Sequence, residues 1–581
     1  QINLNAGGGI NGTVNGLSGV MAYDKASVKL AGTNISLTGD QSNAIILGNS
    51  TLNTDKSVLD LNSGNITVGK EGTAIYSKNG IINIAGGYTG LITLGEKGTG
   101  VYADKDTAVS AGTLETVYSH GTNKGVGIFY DGGTQENKVT IKQHAGNNNL
   151  INIYAQDIAL VNNADQEVSQ NGIGIFIKGP GIASTLENKK ELSLTGSDSV
   201  GIVTETGSSV IAAGKITGVN GEHDKIGVYV KGGDISGTSA YDFDIDGGIG
   251  MYLNNAVSYT GTMDLKGGIY DNGLNKYRTI GILASPSFGT GTLAANIDMT
   301  GAGGIGVYQE TGTNVTYNGK IDLLGTSTLI DQGIGVYTKN GSTFTLGSLG
   351  EVKVGGTNNI GFYVEAGGIL NISGGTVTNT EDGIFAYLEG GSMTFTSGSS
   401  NINYANVIVA SGGSLVNQTT IATGKTGLQA TGVSSLLVPS TILNDTSGVI
   451  NSSTLSAVAM TGLDGAYIDN KGKISLTGDG AIGIYVRNAK GVSSGEVNIN
   501  EKSVAYYANQ AGGELTITGT SNIGKHSTLL AVENGGKINY QSGAINLGDE
   551  RYGALIDGAA SVIDFGGNDI TVGEKSVAVM L

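Results

Sequence analysis

The 581-residue sequence contains no cysteine, no tryptophan and only three prolines. Without cysteine, the chain has no disulfide scaffold, no thiolate metal site and no cysteine nucleophile. Proline is too scarce, and glycine too irregular in its spacing, for a collagen-like triple helix. No apolar run approaches the roughly 18 residues that a membrane helix requires. These absences exclude several classes of protein before any motif is considered.

Charged residues are also scarce, at 14% of the chain, which is too few to coat several separate globular domains. The 32 basic and 49 acidic residues give a net charge of −17, and the arginines are Arg278, Arg487 and Arg551. Because phosphate neutralisation needs clustered cations, we expect no nucleic-acid partner. The hydrophobic fraction of 39% is too high for a disordered glycine-rich tail.

Glycine is abundant, with 100 residues, and much of it belongs to one repeated phrase. Clear copies are Gly172–Phe176, Gly304–Tyr308, Gly333–Tyr337 and Ala481–Tyr485. We define the residue at the aromatic end as the anchor of each repeat. The anchors align at positions 23, 47, 76, 102, 129, 154, 176, 203, 229, 252, 283, 308, 337, 363, 387, 409, 429, 461, 485, 507, 531, 556 and 580. Their mean spacing is about 25 residues, which is in the range of solenoid repeats.

Each repeat consists of short β-prone runs separated by glycine turns, such as Lys339–Gly341 and Ala366–Gly368. No helical period is sustained along the chain. A unit of two or three short strands cannot bury its own apolar face, whereas stacked copies can. The sequence therefore predicts an all-β fold, a right-handed parallel β-helix (β-solenoid) with about 22 turns of roughly 25 residues. We expect one continuous body over residues 1–581.

The phrase also predicts which side chains lie inside, because successive residues of a strand point to opposite faces. In the copy that ends at Tyr337, Ile334 and Val336 share the inner face, while Gly335 and Lys339 lie outside with the ring. The same pattern places Ile305 and Val307 inside, and Tyr308 and Tyr363 in an outward stack with Tyr337. Such a column suits sugar stacking, but it recurs along nearly the whole chain, so we favour a structural role.

Patterns typical of an active site are few. The histidines His120, His144, His223 and His526 lie far apart and lack metal spacing, so we assign no catalytic, cofactor-binding or metal-binding residue and expect no enzyme activity. Asp242, Asp244 and Asp246 share one strand face, which fits either a Ca²⁺ site or, as we favour, a solvated face. Paired carboxylates on adjacent turns, drawn from Asp224, Asp246 and Asp264, would instead suit a polysaccharide-processing enzyme.

Two repeats are longer than the average period, and binding residues often lie on such loops. The first predicted insertion, residues 267–278, contains Tyr270, Tyr277 and Arg278. We predict that these three residues bind a partner, because tyrosine and arginine are enriched at interface hot spots. The alternative is a tolerated surface insertion. The second predicted insertion is residues 434–453, which includes Pro439.

Three phrases carry a resemblance to a known family: Gly333–Gly341, Ala481–Asn488 and Lys502–Tyr507. With them, the whole chain resembles the passenger of the large type V autotransporter adhesins of fusobacteria, the RadD-like family. The resemblance implies a β-helical stalk at the bacterial cell surface, outside the outer membrane. It also implies a partner, which is a host cell-surface receptor or glycan, or the surface of other bacteria.

The family also implies a signal peptide and a C-terminal membrane β-barrel, and neither is found in the sequence. We therefore expect a fragment of a longer protein whose link to the membrane is that missing barrel. Two alternatives to an adhesin stay open. One is a structural spacer stalk whose binding tip lies outside this fragment, and the other is a β-helical polysaccharide-processing enzyme.

Overall fold

A computed structural model describes residues 1–48, 55–118, 124–143, 148–218, 224–235, 240–271, 275–380, 382–396 and 402–581. The chain divides into two compact units, Gln1–Phe288 and Gly289–Leu581. Each unit is a parallel β-solenoid, and together they contain about 22 turns of about 25 residues, which confirms the predicted fold class. A single body over residues 1–581 and a right-handed coil stay predictions.

In the Gln1–Phe288 unit each turn passes through three faces, and the strands of each face pair in parallel with those of the next turn. The face that carries the anchors, which we call the ladder face, consists of Ser18–Tyr23, Asn43–Gly48, Thr73–Ser77, Thr99–Asp104, Gly125–Asn137, Leu150–Asn162, Ile173–Lys178, Val200–Thr204, Ile226–Val230, Ile249–Leu253 and Ile280–Ala284. The long strands Gly125–Asn137 and Leu150–Asn162 also supply the second face, because each continues around the corner.

The other strands of the second face in this unit are Ile2–Asn5, Ser27–Ala31, Val58–Ser63, Ile81–Ile84, Ala108–Val109, Ser184–Asn188, Ser208–Ala212 and Asp234–Ile235. The third face is built from two sheets. The first contains Gly9–Gly12, Asn34–Leu37, Ile66–Val68, Leu91–Leu94, Gly112–Tyr118 and Val139–Gln143. The second contains Gln166–Val168, Leu192–Leu194, Lys215–Gly218, Ala240–Asp244 and Thr262–Leu265. An antiparallel pair, Ile269–Asp271 and Lys276–Arg278, and a 3₁₀ turn at Pro286–Phe288 complete the unit.

The Gly289–Leu581 unit has the same three faces. Its ladder face consists of Ile305–Gln309, Ile334–Thr338, Ile360–Glu365, Ile384–Glu389, Val407–Ala410, Thr426–Thr431, Val458–Leu463, Ile482–Arg487, Val504–Asn509, Thr528–Glu533, Tyr552–Asp557 and Val577–Met580. Its second face is one sheet of Thr290–Leu293, Asn314–Tyr317, Thr343–Leu346, Ile369–Ile372, Ser392–Phe395, Ser414–Asn417, Thr441–Asn444, Tyr467–Asn470, Lys490–Ser493, Glu514–Ile517, Lys537–Tyr540 and Val562–Asp564.

The third face of this unit is interrupted twice. Its first sheet contains Asn296–Met299, Lys320–Leu323, Glu351–Val354, Thr376–Asn379 and Ile402–Asn403. The second contains Thr420–Ala422, Val449–Ser452, Lys473–Leu476, Glu496–Ile499 and Ser521–Ile523, and the third contains Ile545–Leu547 and Ile570–Val572. The two interruptions matter because clefts lie beside both of them.

Inward side chains from the three faces form the core of each unit. Val336, Phe344 and Val352 lie on the three successive faces of one turn, and each is fully buried. The next turn supplies the register partner of each one, as in the pair Val336 and Phe362. Burial of such a side chain contributes about 1.5–3 kcal/mol, so the stacked turns stabilise a core that one turn could not form.

The strand register confirms most anchors and corrects four. In the ladder face, Met21 and Ile46 occupy the positions that align with Tyr76, so the predicted anchors 23 and 47 are wrong. Ile408 aligns with Tyr387, and Leu555 aligns with Met580, so positions 409 and 556 are also wrong by one residue. Most of the remaining anchors are aromatic, and the ring together with the preceding glycine marks the strand in the sequence.

The predicted assignment of side chains to the inner and outer faces is correct for the valine before the ring and wrong for the glycine before that valine. Val307 and Val336 are fully buried, but Gly335 also faces the interior, because a Cβ there would lie 3.6 Å from the buried Val352 Cγ1. The pairing register skips this glycine, so the strict alternation of faces stops there. A Cβ on Gly335 would also lie 2.6 Å from the Gly361 carbonyl oxygen, which explains why glycine recurs at this point of the phrase.

Because the alternation shifts, the residue three places before the anchor lies on the ring side. Ile151 and Ile173 occupy this position and pack against Tyr154 and Phe176, in a small apolar cluster of their own. Ile305 and Ile334 hold the same register position and are nearly buried. Their predicted burial is confirmed, and the cluster around Ile151 and Ile173 indicates that the glycine bulge brings this position under the aromatic column.

Buried asparagines form ladders inside both units, a feature that the sequence analysis missed. In the first unit, Asn137 Nδ2 donates to Asn162 Oδ1 over 2.6 Å, and Asn162 Nδ2 donates to Asn188 Oδ1 over 2.6 Å. In the second, Asn417 Nδ2 donates to Asn444 Oδ1 over 2.9 Å, and Asn444 Nδ2 donates to Asn470 Oδ1 over 2.8 Å. Each buried amide is thereby satisfied by the turn beside it.

Candidate functional site

The first predicted insertion forms an antiparallel hairpin, whereas the other described strand pairs of this unit are parallel. Strands Ile269–Asp271 and Lys276–Arg278 pair so that Tyr270 is opposite Tyr277 and Ile269 is opposite Arg278. Asp271 and Lys276 face each other with a carboxylate-to-Nζ distance of 3.9 Å. The tip, residues 272–274, and the side chain of Tyr270 lie outside the described part of the chain.

Buried polar groups fix the base of this hairpin. The Thr279 amide donates to the Gly268 carbonyl over 2.8 Å, and the fully buried Thr279 hydroxyl donates to the Ile245 carbonyl over 2.8 Å. Asp246 Oδ1 accepts a hydrogen bond from the Gly268 amide over 2.8 Å. The hairpin therefore leaves the solenoid from a rigid base, and Asp246 has a structural role there.

A cleft of about 350 Å³ lies beside the hairpin. Tyr277 and Arg278 line it together with Lys276 and Asp224, so the structure brings two of the three predicted binding residues to one concave surface. Tyr277 and Arg278 are half-buried, and Lys276 is exposed. A tyrosine ring with charges of both signs is a composition that favours a specific polar partner.

The second predicted insertion is shorter than residues 434–453. Thr441–Asn444 and Val449–Ser452 are regular strands of the second and third faces, so the protruding part is Gly432–Ser440. An isolated antiparallel bridge between Val433 and Pro439 closes this loop. Leu436 and Leu437 are 84% and 78% exposed at its tip. The loop presents an apolar surface.

The aromatic column is shorter than predicted, because aliphatic and small residues interrupt it. The anchor rings of successive turns form separate runs: from Tyr76 to Phe176, from Tyr229 to Tyr252, from Tyr308 to Tyr387 and from Tyr485 to Tyr507. Within the third run, the ring centroids of Tyr308 and Tyr337 are 5.0 Å apart and those of Tyr337 and Tyr363 are 4.8 Å apart, both stacked. The predicted stack of these three rings is confirmed, and the rings are half-buried.

At several anchors, the charged residue two places further on interacts with the ring of the preceding turn. Tyr102 donates to Asp131 over 2.6 Å, and Tyr337 donates to Glu365. The lysines Lys178 and Lys339 instead place their Nζ over the ring of the preceding turn, at 5.3 Å from the Tyr154 centroid and 5.4 Å from the Tyr308 centroid. These contacts occupy the hydroxyls and ring faces of the column, which supports its structural role.

The aspartates of the Ala240–Asp244 strand and its flank do not converge. Lys266 Nζ contacts both Asp242 oxygens over 2.8 Å and Asp264 Oδ2 over 3.5 Å, and the hydrogen bond to Asp242 raises the pKa of Lys266. Asp244 is exposed, and Asp246 binds the hairpin base. Among the described residues, no group of three acidic or histidine side chains is placed to hold a metal ion.

The carboxylates considered for an enzyme have different surroundings. Asp264 is the register partner of Asp242, whereas Asp224 lines the hairpin cleft and Asp246 lies at the hairpin base. His526 is exposed, with its Nε2 3.9 Å from Glu550 Oε2. The other three histidines, His120, His144 and His223, lie outside the described residues.

Two clefts lie beside the interruptions of the third face and were missed by the sequence analysis. The larger, about 500 Å³, adjoins Tyr404 at the end of the first sheet. The other, about 380 Å³, lies between Ser521–Ile523 and Ile545–Leu547 and includes Arg551. The sequence signal for the first cleft is a tyrosine away from the anchor position, which is weak by itself.

No protein family and no curated protein matches the chain. A solved structure of a TibC-catalysed hyper-glycosylated TibA fragment aligns with 86% of this chain and 100% of its own, at 12% identity and a TM-score of 0.13. A score that low carries no argument about this chain. No helix in the described residues is long and apolar enough to cross a membrane.

Proposed function

We propose that this chain is the surface-displayed passenger of an autotransporter adhesin, which attaches the cell to host cells or to other bacteria by binding a protein or a glycan. The observation that supports the proposal most is the hairpin Ile269–Arg278. It is an antiparallel element with a buried polar base, next to a cleft that Tyr277 and Arg278 line. A rigid scaffold that holds a protruding loop is a common way to present a binding surface.

The side chains of the hairpin suit recognition better than catalysis. Tyrosine and arginine supply a large planar contact area and directed hydrogen bonds at a low cost in conformational entropy. Lys276 and Asp224 add one charge of each sign to the cleft. We propose that Tyr270, Tyr277 and Arg278 contact the partner and that the chain catalyses no reaction.

The second candidate is a structural spacer stalk. The regular stacking of turns in each unit favours it, because a spacer needs only repeated local contacts between neighbouring turns. Attachment assays distinguish the two candidates, since a spacer carries no binding surface of its own. A polysaccharide-processing enzyme has less support, because Asp264 pairs with Lys266 and Asp246 holds the hairpin base.

The test is attachment of the purified chain to host epithelial cells and to partner bacteria, with Tyr270→Ser, Tyr277→Ser and Arg278→Ser combined. We expect attachment to fall at least about tenfold, the loss of a few hot-spot contacts, while the unfolding temperature stays unchanged. The matched control combines Leu436→Ser, Leu437→Ser and Val438→Ser in the other protruding loop, and it should attach like the parent.

Each other outcome overturns one part of the proposal. If the hairpin variant attaches as well as the parent, the hairpin is not the contact. If the parent chain attaches to no cell type, the spacer is correct and the adhesin proposal is wrong for this chain.

A further inference from the structure

The surface beside Tyr404, where the third face is interrupted, has features of a binding site. Tyr404 follows the last strand of the first sheet, and its ring lies between two clefts, of about 500 Å³ and about 290 Å³. The side chain is 40% exposed. It belongs to none of the runs of the aromatic column, and among the described residues no ring stacks on it.

The backbone of Tyr404 is held in an unfavourable conformation. Its φ of 52° lies in the left-handed region, which costs a bulky residue free energy unless its surroundings impose it. The surroundings do impose it. The Tyr404 carbonyl accepts hydrogen bonds from the Asn406 amide over 2.8 Å and from the buried Asn379 Nδ2 over 3.1 Å.

Gly424 makes room for the ring. A Cβ at this position would lie 2.8 Å from Tyr404 Cδ1, so the ring rests on glycine backbone of the next turn. The position of the ring is therefore fixed by both its own backbone and its neighbour. A strained, fixed and exposed aromatic residue is typical of a ligand platform, since nothing in the packing of the core requires it.

The larger cleft is lined by uncharged polar groups. It runs across the ends of four successive third-face strands, a distance of roughly 14 Å at about 4.8 Å per strand. The side chains at its rim are Asn403, Asn451, Ser453, Ser475 and Thr477, and none of the described lining residues is charged. Amides and hydroxyls of this kind donate to and accept from a ligand that carries many hydroxyl groups.

We propose that the Tyr404 surface binds a neutral glycan segment. One sugar ring stacks on Tyr404, and the adjoining sugars of the segment lie along the larger cleft. A sugar ring is apolar on one face and carries hydroxyl groups around its edge. It therefore matches an exposed tyrosine that lies between two polar clefts. A ligand with a negative charge would find no cation in the larger cleft. The inference rests on the proposed adhesin function and gives it a ligand class.

The test is binding of the purified chain to an array of immobilised neutral, sialylated and sulfated oligosaccharides, followed by titration with the free neutral oligosaccharide that binds best. Tyr404→Ala should weaken binding about tenfold or more, and Tyr404→Phe should stay within about twofold, because the ring provides the contact. Tyr404→Gly should lose binding without any fall in the unfolding temperature, since glycine adopts positive φ freely. Tyr467→Ala, at a tyrosine of similar exposure on the second face, should bind like the parent.

The inference is wrong if no neutral glycan binds, if only charged glycans or peptides bind, or if Tyr404→Ala binds like the parent. Attachment of the parent to cells is measured in parallel. An array without a neutral hit but with cell attachment overturns the glycan site and leaves the adhesin proposal standing. If a neutral glycan on the array binds in a Tyr404-dependent way but the chain attaches to no cells, the adhesin proposal is overturned and the glycan site stands.

Discussion

Val336 and Tyr337 are neighbours in one ladder-face strand, and they lie in different surroundings. Val336 is fully buried in the core, whereas Tyr337 is half-buried between Tyr308 and Tyr363. We expect Val336→Asp to lower the free energy of unfolding by about 3–5 kcal/mol, because an unpaired charge would enter the core. Tyr337→Ser should cost less, since the ring and its hydrogen bond to Glu365 lie near solvent.

Chemical denaturation of the two variants and the parent measures this difference. Hydrogen exchange of the neighbouring turns should show that the Val336→Asp effect is centred there, because each turn contacts mainly its neighbours. A larger loss for Tyr337→Ser than for Val336→Asp would contradict the assignment of the inner face.

The hydroxyl groups of the aromatic column make stability depend on alkaline pH. Burial raises the pKa of Tyr337 and Tyr363 above the ordinary value, and the carboxylates Glu365 and Glu389 raise it further. A raised folded-state pKa means that the protonated phenol favours the folded state. Its contribution is fully present below about pH 10 and is lost as the pH rises through the folded pKa.

Thermal unfolding between about pH 8 and about pH 12 tests this linkage, since that interval spans the ordinary tyrosine pKa. The unfolding temperature should fall above about pH 10, and the double variant Tyr337→Phe with Tyr363→Phe should fall less steeply, because phenylalanine has no proton to lose. Tyr404→Phe is the matched control outside the column. Equal slopes for the parent and the double variant would show that the column does not contribute.

At the scale of elements, the sequence predicts the ladder strand well where glycine and a ring mark it. Residues Ala44–Leu47 are apolar at four consecutive positions, so the pattern there does not identify the anchor. The anchor predicted at 47 is therefore wrong by one residue. A slip of one residue exchanges the two faces of a strand, so this error assigns the neighbouring side chains to the wrong faces. The glycine bulge at Gly335 has a similar effect on facing, because it depends on a close approach between turns that strand periodicity does not encode.

The candidate sites differ in how far the sequence predicts them. The hairpin Ile269–Arg278 is visible as a repeat of excess length, although its antiparallel pairing is not. The clefts beside Tyr404 arise where the third-face sheets stop pairing, between Ile402–Asn403 and Thr420–Ala422. Pairing between turns is a non-local property, so a tyrosine away from the anchor position is only a weak local sign of these clefts.

At the scale of the whole molecule, the net charge is −17, and nearly all of the described charged side chains are exposed or half-buried. Many of these form pairs between adjacent turns, such as Lys231 with Glu205 at 2.9 Å and Lys525 with Glu550 at 2.9 Å. Exposed pairs of this kind contribute little to stability. Their excess of negative charge instead disfavours unspecific adsorption to anionic cell surfaces.

Attachment that depends on the hairpin or the Tyr404 clefts should therefore change little with salt. Raising sodium chloride from about 0.1 M to about 1 M shortens the Debye length from about 10 Å to about 3 Å and screens long-range attraction. We expect attachment to fixed target cells to change less than about threefold over this range, because short-range stacking and hydrogen bonds persist at high salt. Polylysine-coated beads, which adsorb by charge, should detach under the same conditions and serve as the control. If the chain detaches as completely as the beads do, a local cationic patch drives its attachment. That result would contradict both proposed contacts.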